Sequence, residues 1–419
     1  MKNILLITYY FPPCGGAPVQ RWLRFLPLLV QAGNKVSVLT TKDGDYPVLD
    51  PSLLEKIPPE VEVIRTSVPK LGKLWQKITG KNEALPYGKI EGGQHASFTK
   101  RLLIWLRLNL IAPDARIVWN PSAKKKALSL LRERGSDLII TTGPPHSTHL
   151  IGLYLKRKVK VKWLTDFRDP WTKIHYLQLE KQNPLIRKLN QFWERQVVSN
   201  ADVNLIISKA IADSLPEGRK QVLYNGFDPS DFTDMHYAPA SDFRIKYIGQ
   251  LTAGQDIEPF LIFLSEQVQK YKITNITFTF VGNVKPETKN YNFPVYNTGF
   301  VNHASAIEEM INSELLILLI NDTADNLGIL TTKLFEYLAS QTPIMCLGPV
   351  AGEAANVITS SKAGKVFSEL NSEVWEYIKT LYQNWKHGEP VRNDYDCSLW
   401  SVQQQIKTLL QIIDNETIK

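Results

Sequence analysis

The sequence predicts an α/β protein built from two doubly wound, parallel-sheet domains. Three observations carry that expectation. Strand-like and helix-like runs alternate along the whole chain, as they do where parallel strands are joined by crossover helices. The 419 residues suffice for two such domains, each with its own core. A stretch rich in turn formers and poor in aliphatics, YNGFDPSDFTDMHYAPA at 224–240, reads as the hinge between them.

Taken in order, the first half should hold strands at 3–8, 36–40, 61–65, 138–142, 160–166 and 203–208. Long helices fall near 20–32, 123–134, 148–156 and 185–199. The second half should hold strands at 243–248, 277–281, 295–298, 315–319 and 343–347. Residues 400–418 read as a helix with Val402, Ile406, Leu409, Leu410 and Ile413 on one face. The expected division is therefore 1–225, 226–399 and a terminal helix at 400–419.

Composition narrows the class. Hydrophobic content of 43% with 21% charged residues is ordinary for a soluble protein. Cys14, Cys346 and Cys397 are far apart, with neither metal-ligand spacing nor a disulfide framework, which fits a reducing, cytoplasmic setting. No run approaches the roughly 18 apolar residues of a membrane span. The opening KNILLITYYF is short, lacks a small-residue cleavage site after it, and reads as a first buried strand.

Charge is divided unevenly. Residues 1–225 carry 35 Lys+Arg against 18 Asp+Glu, and residues 226–419 carry 14 against 23, so +17 and −9 make up the net +8. A basic half facing something anionic is the natural reading: a membrane surface, a lipid-linked phosphate or a nucleic acid. Nucleic-acid signatures are absent, which ranks anionic lipid first. Segment 98–111, FTKRLLIWLRLNLI, suits a helix in a membrane interface or a core helix with snorkelling arginines. The basic run 156–163 reads as a solvated face.

The chemistry concentrates at 321–348. Asn321, Asp322, Asp325, Asn326 and Gly328 form a loop, and Thr331 or Thr332 can cap a helix carrying Leu334, Phe335 and Leu338. Gln341-Thr342-Pro343 ends it, and Ile344 to Leu347 form a buried strand. Unpaired N–H groups at a helix start favour an anion. Lys333 adds a charge in the first turn, and Glu336 lies at helical spacing from it. Such a set suits a sugar nucleotide, the N–H groups and lysine on the diphosphate and the carboxylate on the ribose. An amphipathic helix with an ordinary Lys–Glu pair is the competing reading.

Other candidates stand at strand ends, where open α/β sheets bind ligands. Gly15 and Gly16 follow the first strand and permit close backbone approach. Their setting fits neither a dinucleotide fingerprint nor a P-loop. Arg21 follows closely; it reads mainly as a solvated helix arginine, with contact to an anionic acceptor as the other reading. His146 sits in a Gly-Pro-Pro turn after the strand at 138–142, with His149 one turn on. Asp166, Arg168 and Asp169 put three charges at the next strand end, either as an internal ion pair or as a site with a carboxylate able to take a hydroxyl proton. Gly249 permits close approach in the second half. Asn283, Phe300 and Val301 lie at strand ends there, Phe300 being equally readable as core.

GILTTKLFEYLASQTPI resembles the donor-site helix of the GT-B glycosyltransferases of family 4. The resemblance extends to YFPPCGG in the first loop, to DFRDPW, and to NGFD at Asn225–Asp228. It implies two Rossmann-like domains facing a cleft, with the final helix crossing back to the first. It also implies a retaining transferase that moves a hexose or N-acetylhexosamine from a nucleoside-diphosphate sugar, UDP foremost, to a glycan or polyprenyl-diphosphate-linked acceptor in bacterial surface-polysaccharide synthesis. No cofactor and no metal are implied. Asp43 and Asp45 have the spacing of a metal motif but follow the second strand of the other domain.

By this resemblance Glu336 holds the ribose and groups near Phe300 and Val301 read the base. Gly15, Gly16, Gly249, Gln250, Asn283, Asp325, Asn326, Gly328, Ile329, Leu330, Thr331, Thr332 and Lys333 surround the donor. His146, Asp166, Arg168, Asp169 and Lys333 form the catalytic set. The family's earlier glutamate falls at Gly328, and its diphosphate-gripping Arg and Lys fall at Gln250 and Gln255. A subgroup acting on N-acetylated sugars shares Thr332-Lys333 and Glu336-Tyr337. The alternatives are a sugar-nucleotide 2-epimerase on the same fold and a catalytically silent nucleotide-sugar-binding protein.

Overall fold

The structure is a computed structural model; it describes residues 1–46, 48–69, 105, 109, 111–173, 182–233, 236–251, 255–284, 290–320, 326–389, 391–392 and 394–417. The chain forms two compact units, Met1–Tyr224 with Ile406–Lys419, and Asn225–Gln405.

The first unit is built on seven parallel strands: β1 (Asn3–Ile7), β2 (Lys35–Thr41), β3 (Glu62–Thr66), β4 (Leu138–Gly143), β5 (Lys162–Phe167), β6 (Val203–Ile206) and β7 (Lys220–Val222). Their order is β3-β2-β1-β4-β5-β6-β7, so the winding reverses between β1 and β4. Strand β4 is buried at every residue and β1 at all but its first, as expected of strands covered on both faces. Helices Ala17–Gln31, Asn120–Arg134, His149–Lys158 and Pro184–Asn200 take the places that periodicity assigned to them.

The second unit repeats the plan with six strands: β8 (Phe243–Ile248), β9 (Ile276–Val281), β10 (Val295–Asn297), β11 (Leu315–Leu319), β12 (Ile344–Leu347) and β13 (Gly364–Phe367). They are ordered β10-β9-β8-β11-β12-β13, and the reversal falls between β8 and β11. Two strands, β7 and β13, were not expected. Both are short edge strands, KQV and GKVF, with little apolar alternation to mark them.

The last helix spans Val402–Thr417, and its residues from Ile406 belong to the first unit. Leu409 and Ile413 are buried there, and Glu416 accepts from Lys162 (3.4 Å) and Arg219. The basic run at 156–163 is therefore not simply a solvated face. Lys156 bonds Asp202 (2.5 Å), and Lys162 is shared between Asp202 and Glu416. Segment 98–111 lies almost wholly outside the described residues. No helix among those described is long and apolar enough to cross a membrane.

Candidate functional site

In the second unit the carboxyl ends of β8, β9 and β11 meet the start of helix Thr332–Ala339. Apolar positions Leu334, Phe335 and Leu338 bury that helix against the sheet, and Tyr337 Oη accepts from Ile248 N (3.0 Å). This fixes the rotation of the helix, so Lys333 turns toward Tyr247. Lys333 Nζ donates to Tyr247 Oη (3.0 Å) and stands 4.3 Å from the ring centroid. Tyr247, wholly buried, donates its hydroxyl hydrogen bond to Gln250 O (3.1 Å), with Gln255 Oε1 at 3.3 Å. Gln255 in turn donates to Leu319 O (2.8 Å), tying the loop to the end of β11. Burial pushes the Lys333 pKa down to about 8, opposed by the Glu336 charge.

Gly249 has φ 106°, and a Cβ there would lie 3.2 Å from Lys333 Nζ. Gly282 is equally constrained, since its Cβ would come within 2.7 Å of Gly249 O. The two strand ends therefore lie backbone against backbone, an approach that only glycine permits.

Thr331 is the N-cap of the helix, yet its side chain makes no capping bond. Its hydroxyl is buried with no hydrogen-bond partner among the described residues. The helix start thus offers a hydroxyl, its first N–H groups and an ammonium together. Asn326–Gly328 form a short turn ahead of it, and Ile329 N bonds back to Asn326 O (3.2 Å). Thr332 opens the helix, and Leu330, just before it, is buried. Asp325 lies outside the described residues.

Glu336 does not close on Lys333 as a simple pair. It accepts from His303 Nε2 (3.2 Å), and His303 Nδ1 stands 4.0 Å from Asp231. His303 opens helix His303–Ile311, capped by Asn302, and Phe300 and Val301 precede it in the chain. Phe300 is 84% exposed, so it is not a core residue; it follows Gly299, whose φ is 70°. Asn283 is exposed at the end of β9. Tyr247 and His303 escaped the sequence reading. The only signal was the nearness of Tyr247 to Gly249 and of His303 to Val301.

In the first unit Asp166 is fully buried and accepts three hydrogen bonds. Arg21 Nε (3.1 Å) binds one oxygen; Trp22 Nε1 (2.8 Å) and Thr142 Oγ1 (2.8 Å) bind the other. Arg21 was expected in solvent; it is buried, and its other nitrogens bind Tyr224 O (2.7 Å) and Leu223 O (2.9 Å). Arg168 is likewise occupied, holding Gly143 O, Pro18 O and Pro144 O. It thereby fixes the His146 turn against the start of helix Ala17–Gln31. Asp169 is half-buried beside it.

His146 stacks on Trp171 (5.1 Å, 6°), and its Nε2 donates to Pro170 O (3.2 Å). Burial drives its pKa down to about 3, so the ring is neutral. His149 bonds Thr141 Oγ1 through Nδ1 (2.9 Å). His149 Nε2 and His146 Nδ1 both point at Gly143, where a Cβ would come within 2.7 Å and 3.2 Å of them. Gly15 serves packing, since its Cβ would lie 2.8 Å from Asp50 Cβ. Gly16, at φ 79°, is exposed and starts helix Ala17–Gln31.

No protein-family model and no curated protein matches the sequence. Solved structures do. A sucrose-phosphate synthase from Thermosynechococcus elongatus aligns over 99% of each chain with a TM-score of 0.66 at 13% identity. A glycosyltransferase from Rickettsia africae ESF-5 aligns over 100% of this chain and 99% of its own, with a TM-score of 0.61 at 11% identity. A UDP-GlcNAc 2-epimerase from Neisseria meningitidis, bound to UDP-GlcNAc, aligns over 99% and 100%, with a TM-score of 0.53 at 9% identity. At such identities the likeness is one of fold: an α/β chain of two parallel-sheet units, the GT-B architecture.

Proposed function

We propose that the protein is a glycosyltransferase that takes a sugar from a nucleoside-diphosphate donor bound on the second unit. The observation that carries this reading is the start of helix Thr332–Ala339. There Lys333 is held against Tyr247 and faces the side-chain-free Gly249, while the buried Thr331 hydroxyl has no partner among the described residues. A helix start with a fixed ammonium and a spare hydroxyl is suited to a diphosphate, and above all to the charge that develops as the nucleotide departs. Glu336, one turn on and held by His303, is suited to the ribose hydroxyls. Phe300, exposed after Gly299, is available to the base.

In this proposal the donor carries UDP and a hexose or N-acetylhexosamine, and no metal takes part. Transfer is retaining, to a glycan or lipid-linked acceptor at the inner face of a membrane. The neutral His146, Asp169 and the loop pinned by Arg168 form the acceptor side, with Asp166 holding that loop's strand in place. The test is a thermal-shift screen of nucleotide sugars, followed by incubation of each hit with and without lipid-linked acceptors. Stabilisation by UDP-sugars, with nucleotide release only when acceptor is present, supports transfer. An epimerised nucleotide sugar formed without acceptor makes the protein a 2-epimerase. Binding with no turnover makes it a silent binder.

A further inference from the structure

Among the described residues, three arginines of the first unit are almost wholly buried, and they differ in one respect. Arg21 and Arg168 each have Nε, Nη1 and Nη2 engaged by protein oxygens. Arg116 is 5% exposed, yet its Nε and Nη1 have no hydrogen-bond partner among the described residues. A buried guanidinium left with open donors is costly unless an anion meets it.

The position of Arg116 is rigid. It lies in the turn Ala115–Trp119, whose preceding residue, Asp114, accepts from Arg116 N (3.0 Å), Ser147 N (2.8 Å) and Ser147 Oγ (2.8 Å). Asp114 therefore uses both oxygens on backbone and serine donors, and it ties the turn to His146–Thr148. At the other end Trp119 Nε1 donates to Thr66 Oγ1 (2.8 Å). The guanidinium bonds the Tyr10 side chain and lies near Tyr9 and Asp45. Tyr9 and Tyr10 follow β1, and Asp45 follows β2. Arg116 thus stands at the carboxyl end of the sheet, beside the reversal between β1 and β4, where open α/β sheets take ligands.

We infer that Arg116 is an anion-binding residue that takes a phosphoryl group at the carboxyl end of the first unit's sheet. Its open Nε and Nη1 donate to phosphoryl oxygens, and Tyr10 orients the guanidinium. The choice of a phosphoryl group over other anions rests on the reading of the protein as a transferase with a lipid-linked acceptor. The phosphoryl group can come from a polyprenyl phosphate or from a soluble sugar phosphate.

The experiment is hydrogen exchange on the full chain, followed at peptides covering 112–119, with inorganic phosphate, a sugar 1-phosphate, an isoprenyl phosphate in detergent micelles and the parent isoprenol. Phosphate should slow exchange at 115–119 by several-fold in the wild type and in Lys333→Ala, which removes a cation of the other unit. Arg116→Gln should abolish the effect and Arg116→Lys should restore part of it. Because the wild-type and Lys333→Ala arms need no change at Arg116, a misfolded Arg116→Gln does not decide the matter. Protection at lower concentration by the isoprenyl phosphate marks a lipid source, and by the sugar phosphate a soluble one. No protection by any phosphate, protection that survives in a folded Arg116→Gln, or isoprenol acting as well as its phosphate would each overturn the site. Protection without any transfer leaves the anion site standing and removes the transferase; transfer without protection does the reverse.

Discussion

Lys333 Nζ lies 3.0 Å from Tyr247 Oη and 4.3 Å from the centroid of the same ring. The lysine is thus held by a neutral partner, and burial moves its pKa from 10.5 to about 8. If the ammonium stabilises the leaving diphosphate, kcat/KM should fall as pH rises through about 8, with roughly a tenfold loss per unit above it. The limb in kcat should lie higher, because a bound diphosphate favours the charged form. Lys333→Arg, whose guanidinium stays charged, should lose the limb, and Lys333→Ala should lose transfer by about 10²-fold or more. An unchanged alkaline limb in the arginine variant would remove Lys333 from the chemistry.

The same shift has a consequence for stability. The folded pKa lies below the unfolded one, so the unfolded chain takes up the proton first as pH falls. The fold loses stability between 10.5 and about 8 and carries a constant penalty below that. Lys333→Met should therefore be more stable than wild type at pH 7 and lose that advantage by pH 10.5. Urea midpoints at the two pH values provide the measurement, and a destabilised variant at pH 7 would contradict the burial argument.

Glu336 faces His303 at 3.2 Å, and His303 follows Phe300 and Val301 closely in the chain. Glu336→Gln keeps the shape and removes the charge. It should weaken nucleoside-diphosphate binding about tenfold and leave kcat at saturating donor within a factor of about three. Calorimetric titration with UDP beside donor-saturation kinetics separates the two. Equal binding in both proteins would end the ribose assignment.

The sheet strands were legible where apolar runs are long and buried, as in LLILL of β11, and the start of helix Thr332–Ala339 was legible from its capping and turn residues. What was not legible depends on contacts between distant residues. Asp166 and Arg21 are 145 residues apart, and nothing local marks them as one buried pair. The burial of His146 is set by Trp171 and Gly143, which a periodicity argument along one helix does not reach. Tyr247 reads in sequence as an ordinary strand aromatic, and only the rotation of a helix 86 residues away makes it a partner of lysine.

Asp166 offers a way to separate holding a site from acting in it. Its carboxylate is wholly buried on Arg21, Trp22 and Thr142. Removing one partner of a buried pair leaves the other charge uncompensated, at about 3–5 kcal/mol. Asp166→Ala should accordingly lower the denaturation midpoint strongly. Asp166→Asn should destabilise less and retain near-normal kcat per folded molecule. A stable Asp166→Asn with kcat reduced by 10³-fold or more would make the carboxylate a reacting group instead.

The excess of +17 in residues 1–225 motivates the last expectation, that the protein associates with anionic membranes. Lys156 and Lys162, two of the five charges along 156–163, are paired internally, but helix Asn120–Arg134 presents Lys124, Lys125 and Arg132 along a groove of about 610 Å³. Lys124 Nζ stands 5.3 Å from the ring centroid of Tyr154, which also lines that groove, and burial lowers the lysine's pKa. Lys125 and Arg132 are exposed and free to meet phosphate headgroups. Co-sedimentation with vesicles containing phosphatidylglycerol should exceed that with phosphatidylcholine alone by about tenfold at low salt. It should fall steeply toward 0.5 M salt, where the screening length is only about 4 Å. A Lys125→Glu/Arg132→Glu double variant should lose most of the binding while keeping its midpoint of denaturation, since neither side chain is buried. Equal binding to neutral and anionic vesicles, or full binding by the double variant, would locate the attachment elsewhere or deny it.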